Sequence, residues 1–286
     1  MHNPTVFDIH KGFHYGMHAL GEAEGVIFAN CREGLQKWYE KGIRFFEVDV
    51  SPTDDEQYVA CHSFDVDGFH EQGITDVPEI RTADWYLKKK IYTNKTTGLS
   101  TISLEEILDF VCEKEDVFIM IDFKRSDYES TSAIWSYLNH FIEERGLNGE
   151  QIIFEVYDQN MLDATKTEES KIQLVFNVED DIEVGDSQAI RSLPLTEIVN
   201  WMKSNSIHIV SYPWKRAVEN LPKLKKLKDE GFTIISRTRN DIFSELLERC
   251  GININLVSFL CSEEQKKSLD GYRIEYFRKY EGITKQ

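Results

Sequence analysis

The chain has 286 residues, 41% of them apolar, and a formal net charge of −17. That length suits one large α/β domain or two small ones, no apolar run approaches the ~20 residues of a membrane span, and the acidity argues against nucleic acid or an anionic membrane as partner. Cys31, Cys61, Cys112, Cys250 and Cys261 are scattered, odd in number and without CxxC spacing, which argues against a zinc ribbon or disulfide framework and fits reduced thiols in a cytoplasmic protein.

Met1-His-Asn-Pro lacks the basic and apolar stretches of a secretion signal. Strand-like runs follow at Phe13–His18, Ile43–Val50, Tyr58–His62, Val117–Phe123, Ile152–Tyr157, Gln173–Val178, Ile207–Tyr212, Phe232–Thr238 and Ile254–Leu260. Helical patterns lie between most of them. Asn30 is placed to cap a helix carrying Leu35, Trp38 and Tyr39, with Gly42 at its end. Ser103-Leu-Glu-Glu106 reads as a capping box leading into Leu104, Ile107, Leu108 and Val111. Ile134, Leu138, Phe141 and Ile142 mark a helix closed by Gly146. Leu221-Pro222 opens another that stops at Gly231, and Asp241 is placed to cap a helix over Ile242–Cys250.

This alternation implies parallel strands with crossover helices, and eight repeats in this length predict a (β/α)8 TIM barrel. Nine strand runs leave one surplus, and Ile207–Tyr212 is the weakest candidate. A doubly wound open sheet is the alternative, but no Gly-rich phosphate loop follows an early strand. With no Pro/Gly/Ser-rich linker, residues 1–286 are expected to form a single domain. Residues 63–101 would be an irregular insertion, a lid or specificity element, and residues 263–286 a helical tail. Lys88-Lys-Lys90 within the insertion reads as a solvated face.

The chemistry collects at strand ends, where a barrel of this kind carries its site. His18 ends the first run; Glu47 and Asp49, two apart, share a face of the second. His62 ends the third, while Cys61 beside it should face the packing. Asp122 and Lys124 share a face of the fourth, and Glu155 and Tyr157 end the fifth. Three carboxylates from neighbouring strands suit Mg2+ or Ca2+, which take oxygen ligands. Two flanking histidines suit general acid/base work, and Lys124 can hold a phosphoryl oxygen as a point charge. The set suits phosphodiester cleavage. Each residue alone has an ordinary explanation: a solvated edge for Glu47 and Asp49, a structural histidine at 18, a salt bridge between Asp122 and Lys124, an arginine partner for Glu155. Gathered at one end of four successive apolar strands, they are expensive to bury without a purpose.

At these residues the sequence resembles the glycerophosphodiester phosphodiesterase family, within the phospholipase C-like phosphodiesterases. The matching features are His18, Glu47-Val-Asp49, Thr53-Asp-Asp55, His62, Leu104-Glu-Glu106, Asp122-Phe-Lys124 and Arg237-Thr-Arg-Asn240. Gly42-Ile-Arg-Phe-Phe-Glu47-Val-Asp49-Val50 is the most specific of them. The resemblance implies a TIM barrel. It implies metal binding by Glu47, Asp49 and Asp122, acid/base roles for His18 and His62, and phosphate contact by Lys124. Glu155 is a further candidate for substrate contact.

Four departures from the family pattern fall on the substrate side. The arginine usual after the first histidine is Ala19, the Glu-Asn that follows is echoed only by Ala29-Asn30, the aspartate after the second histidine is Ser63, and a late tryptophan is Arg237. Arg237 or Arg239 is the hypothesised replacement for the missing arginine; unchanged substrate affinity in Arg237→Ala would rule Arg237 out. The expected activity is metal-dependent hydrolysis of a small phosphodiester, a glycerophosphodiester first. The alternatives are a phospholipase C/D-like enzyme acting on a lipid, or a non-catalytic protein that binds a phosphorylated ligand on the same barrel. No basic amphipathic segment suggests stable membrane association, and the oligomeric state is not legible.

Overall fold

The computed structural model describes residues 15–91, 98–167, 169–178, 194–213, 221–241 and 252–262. The fold class is the (β/α)8 barrel that the alternation predicted, with eight parallel strands among the described residues. The chain divides into two compact units. One comprises Met17–Glu155 with Asn160–Gln173, and the other holds the remaining described residues.

In the first unit β2 (Phe45–Pro52) is central. It pairs in parallel with β1 (Tyr15–Met17) on one side and β6 (Phe118–Phe123) on the other, and β6 pairs with β7 (Ile152–Val156). Phe45 to Val50 and Phe118 to Phe123 are buried without interruption, as expected of parallel strands covered on both faces. In the second unit β8 (Gln173–Asn177), β9 (Ile209–Pro213), β10 (Thr233–Asn240) and β11 (Ile254–Phe259) pair in parallel in that order. Its strands bury Asn177, Ser211, Ser236 and Asn255 among the apolar residues.

The surplus strand is not the one the sequence suggested. Ile209–Pro213 is a parallel member, paired with both β8 and β10. The extra run is β3 (Tyr58–Ala60), which folds back antiparallel on β2 with Val50 opposite Ala60. Only five residues separate Pro52 from Tyr58. A parallel return needs a crossover of roughly a dozen residues or more, so only a hairpin fits. Its turn is built by Thr53, whose hydroxyl donates to Asp55 Oδ1 (2.5 Å) and accepts from Gln57 N (3.0 Å).

The helix after β1 spans Arg32–Glu40, and its cap is Cys31, whose Sγ accepts from Gly34 N, rather than Asn30. The capping box at Ser103 opens Leu104–Glu113 with both reciprocal bonds present. Tyr128–Arg145 ends at Gly146 in the left-handed conformation, and Leu221–Asp229 precedes Gly231 as expected. The expected helix over 242–250 and the expected tail over 263–286 lie outside the described residues.

The insertion over 63–101 carries structure of its own. It contains helices at Val66–Glu71 and Ala83–Leu87 and a two-stranded ribbon of β4 (Lys90–Ile91) and β5 (Leu99–Ser100). Phe69, Ile74, Ala83 and Tyr86 pack there with Val59 and Cys61 of the hairpin. The lysine run is a solvated face: Lys88 pairs with Asp84, Lys89 with Asp76, and Lys90 donates to Ser100.

Candidate active site

The site grows from the register of β2 on β6. Asp49 sits directly beside Asp122, and Glu47, two residues earlier, shares the face of Asp49. One oxygen from each of the three carboxylates falls within 4.8 Å of the other two. Relative exposure is 0% for Glu47 and 3% for both aspartates, a costly burial unless charge is compensated.

Part of that compensation is Lys124. Its Nζ lies 2.6 Å from Asp49 Oδ1 and 2.8 Å from Asp122 Oδ2. Burial would raise the Asp49 carboxyl, but the charge of Lys124, then those of His18 and His62, hold it well below the usual carboxylate range. Burial would likewise lower the Lys124 ammonium. Asp49, Asp122 and Glu47 together push it above the ordinary lysine value. Three carboxylates against one ammonium leave a formal excess of two negative charges. An all-oxygen donor set with that excess fits a hard divalent cation.

The first histidine is set by an unusual turn. After β1, His18–Leu20 form a 3-10 turn in which Ala19 (φ 50°), Leu20 (φ 59°) and Gly21 (φ 86°) are left-handed in succession. Side chains disfavour that region, and such strain gathers at functional sites. The turn aims Ala19 N at Glu47 Oε2 (2.6 Å) and sets His18 Nε2 3.6 Å from the same oxygen. Phe28 meets the imidazole edge-on at 5.0 Å. Gly21 admits no side chain, since a Cβ there would fall 2.3 Å from Trp38 Cδ1.

His62 follows the hairpin. It is exposed, and its Nδ1 lies 3.0 Å from Ser63 Oγ. Cys61 points the other way, buried beneath Tyr86 and Gln72, as the alternation required. His62 and Lys124 line a cleft of about 230 Å³ with Ser51, Pro52, Ser63, Phe64, Asp65 and Arg125.

The predicted residues His18, Glu47, Asp49, His62, Asp122 and Lys124 therefore belong to one neighbourhood of the first unit. Glu155 is fully buried on β7 of that unit, next in line after the pair Ile121–Phe154. Arg237 stands on β10 in the other unit, and its neighbour Arg239 follows on the same strand. One residue of the site was misread from sequence. Asn30, left-handed at φ 45°, donates from Nδ2 to Asp49 Oδ2 (2.7 Å) and accepts at Oδ1 from Asp49 N (3.1 Å). Its only sequence signal was the weak Ala29-Asn30 echo.

The glycerophosphoryl diester phosphodiesterase family model matches residues 16–241. The chain belongs to that family. It is a phosphoric diester hydrolase, and the match spans every residue of the neighbourhood just described. No curated protein sequence matches it. Among solved structures it resembles a provisional glycerophosphoryl diester phosphodiesterase from Silicibacter pomeroyi (TM-score 0.67, 14% identity, covering 87% of this chain and 91% of that one). A glycerophosphodiester phosphodiesterase from Parabacteroides distasonis superposes with TM-score 0.64 at 17% identity over 90% and 97% of the chains. A phosphodiesterase from Oleispira antarctica, solved with its product sn-glycerol-3-phosphate, gives 0.63 at 12% over 91% and 96%. Among the described residues no helix is long and apolar enough to cross a membrane.

Proposed function

We propose that this family member is a divalent-metal-dependent hydrolase of a glycerophosphodiester, such as a deacylated phospholipid, with His18 and His62 as the acid/base pair. The observation that carries the reading is the convergence of Glu47, Asp49 and Asp122 within 4.8 Å, with both histidines close enough to act on the Asp49 carboxyl. Those three carboxylates would hold Mg2+ or Ca2+, and the ion would neutralise a phosphoryl oxygen and make phosphorus more electrophilic.

One imidazole takes a proton from water or from a neighbouring hydroxyl of the substrate, and the oxygen attacks phosphorus. The other returns a proton to the departing alkoxide. If the substrate hydroxyl attacks first, a cyclic phosphate forms and is then opened by water. Lys124 holds the carboxylates together and meets the phosphate as a point charge. Glu155 is assigned to accept from a substrate hydroxyl. The phosphate role expected of Arg237 is open to Arg237→Ala, and unchanged substrate affinity would remove it. The product held by the Oleispira antarctica neighbour supports a glycerol-bearing substrate. Among the described cysteines Cys31, Cys61, Cys112 and Cys261 are free thiols, which supports a cytoplasmic location.

The test is a panel of glycerophosphodiesters incubated with and without metal, reading released alcohol and phosphate monoester. EDTA should abolish turnover and Mg2+ or Ca2+ should restore it. His18→Ala and His62→Ala should each lower kcat by roughly 10²–10⁴. Turnover that survives in Glu47→Ala/Asp49→Ala would contradict the metal role.

A further inference from the structure

We infer that Arg125 is a second phosphate-binding cation of this site, beside Lys124. The inference rests on the proposed phosphodiesterase reading and adds a residue to it. At position 19 there is an alanine whose side chain is buried and whose backbone N–H is spent on Glu47. No cation can reach the substrate from there. Lys124 is clamped between Asp49 and Asp122 at 2.6 and 2.8 Å, so much of its charge is already answered. A phosphodiester has two non-bridging oxygens, and a single ion with a lysine shared between two carboxylates leaves one of them poorly held.

Arg125 directly follows Lys124 and lines the same cleft as Lys124 and His62. It is exposed. Among the described residues it makes no hydrogen bond or ion pair, unlike Arg81, which is fixed on Asp54 (3.0 Å) and on the Phe64 carbonyl (3.3 Å). Asp54 lies near enough to feel the Arg125 charge, but its oxygens accept from Arg81. Asp65, the acid lining the cleft, is partly committed as the cap of Val66–Glu71. A free guanidinium offers a planar fork that matches two phosphate oxygens, which an ammonium cannot do.

The experiment titrates inorganic phosphate into the full chain with Mg2+ present, for wild type, Arg125→Ala, Arg125→Lys and the exposed control Arg145→Ala. Melting temperatures verify that all fold. Arg125→Ala should bind phosphate about tenfold to a hundredfold more weakly. Arg125→Lys should fall between, and Arg145→Ala should match wild type. In turnover assays KM should rise by a similar factor for bis-(p-nitrophenyl) phosphate and for a glycerophosphodiester, because the phosphate is what they share. Phosphate binding by Arg125→Ala as tight as wild type, no phosphate binding by wild type, or a KM effect confined to one diester would each overturn the inference. A wild type that binds phosphate through Arg125 yet hydrolyses no diester would sink the proposed function and leave the Arg125 assignment standing.

Discussion

Lys124 shows how one side chain ties stability to chemistry. Its ammonium sits between two buried carboxylates, and deleting one member of a buried ion cluster strands the others without compensation. Lys124→Met should therefore destabilise the metal-free protein by about 3 kcal/mol. Added Mg2+ should then raise its melting temperature by more than that of wild type, as scanning calorimetry would show. The pH dependence has a defined sign. Asp49 is depressed, so its contribution is present above the unfolded carboxylate value of about 4 and is lost as pH falls below it. Lys124 is raised, so its contribution is present below about pH 10 and fades only as pH climbs toward its elevated folded value. Metal-free wild type should thus lose melting temperature on acidification below about pH 4. In Lys124→Met that acid limb should flatten or reverse, because Asp49 then has no ammonium beside it. Asn30 acts on the same carboxylate with two hydrogen bonds, and sequence reasoning took it for a helix cap because Asn before a helix is the common case.

At the scale of elements, the turn after β1 and the helix caps carry different risks. Gly21 is left-handed and pressed against Trp38, whose Nε1 donates to the Glu22 carbonyl (2.9 Å). Gly21→Ala should cost about 2–4 kcal/mol in denaturant unfolding. It should also lower kcat, since the turn orients His18 and the Ala19 amide toward Glu47. Ser103→Ala removes one half of a capping box whose side chains are not part of the acidic cluster, and should cost only about 1 kcal/mol with kinetics unchanged. These elements were readable because their signals are local: a Ser with Glu three residues on, or a Gly closing an apolar helix. The surplus strand is not legible from each run taken alone. Tyr58–His62 is apolar enough for a barrel strand, and only its distance from Pro52 discloses a hairpin. In Ile207–Tyr212 a buried Ile207 and an exposed His208 precede the strand, and pairing starts only at Ile209.

For the whole molecule, residues 1–286 are proposed as a single domain, and calorimetry should accordingly give one cooperative transition, shifted upward by metal through its preference for the folded state. Thiol accessibility provides an independent probe of the native packing. Cys31, Cys61 and Cys261 are buried while Cys112 is half-exposed. Burial pushes the Cys31 thiol up to about 11. Under native conditions near pH 8, Cys112 should react with a thiol reagent far faster than Cys31 or Cys61, and denaturant should release the slow set. Peptide mapping of the labelled sites checks this, and rapid labelling of Cys31 would contradict its place beneath the Gly34 turn.

The amino-acid sequence by itself determined the βα alternation, the pairing of Glu47 with Asp49 on one strand face, the opposed directions of Cys61 and His62, and the caps at Ser103 and Gly146. Each follows from dihedral periodicity or from hydrogen bonds within a few residues, so neighbours in the chain suffice to specify it. Only the tertiary structure decided that Asp49 lies beside Asp122, that Lys124 bridges them, that Asn30 grips Asp49, and that Arg125 shares a cleft with His62. Those contacts depend on strand register and on where loops of separate crossovers converge. A shift of one residue would turn each strand's side chains to the other face without altering its local pattern.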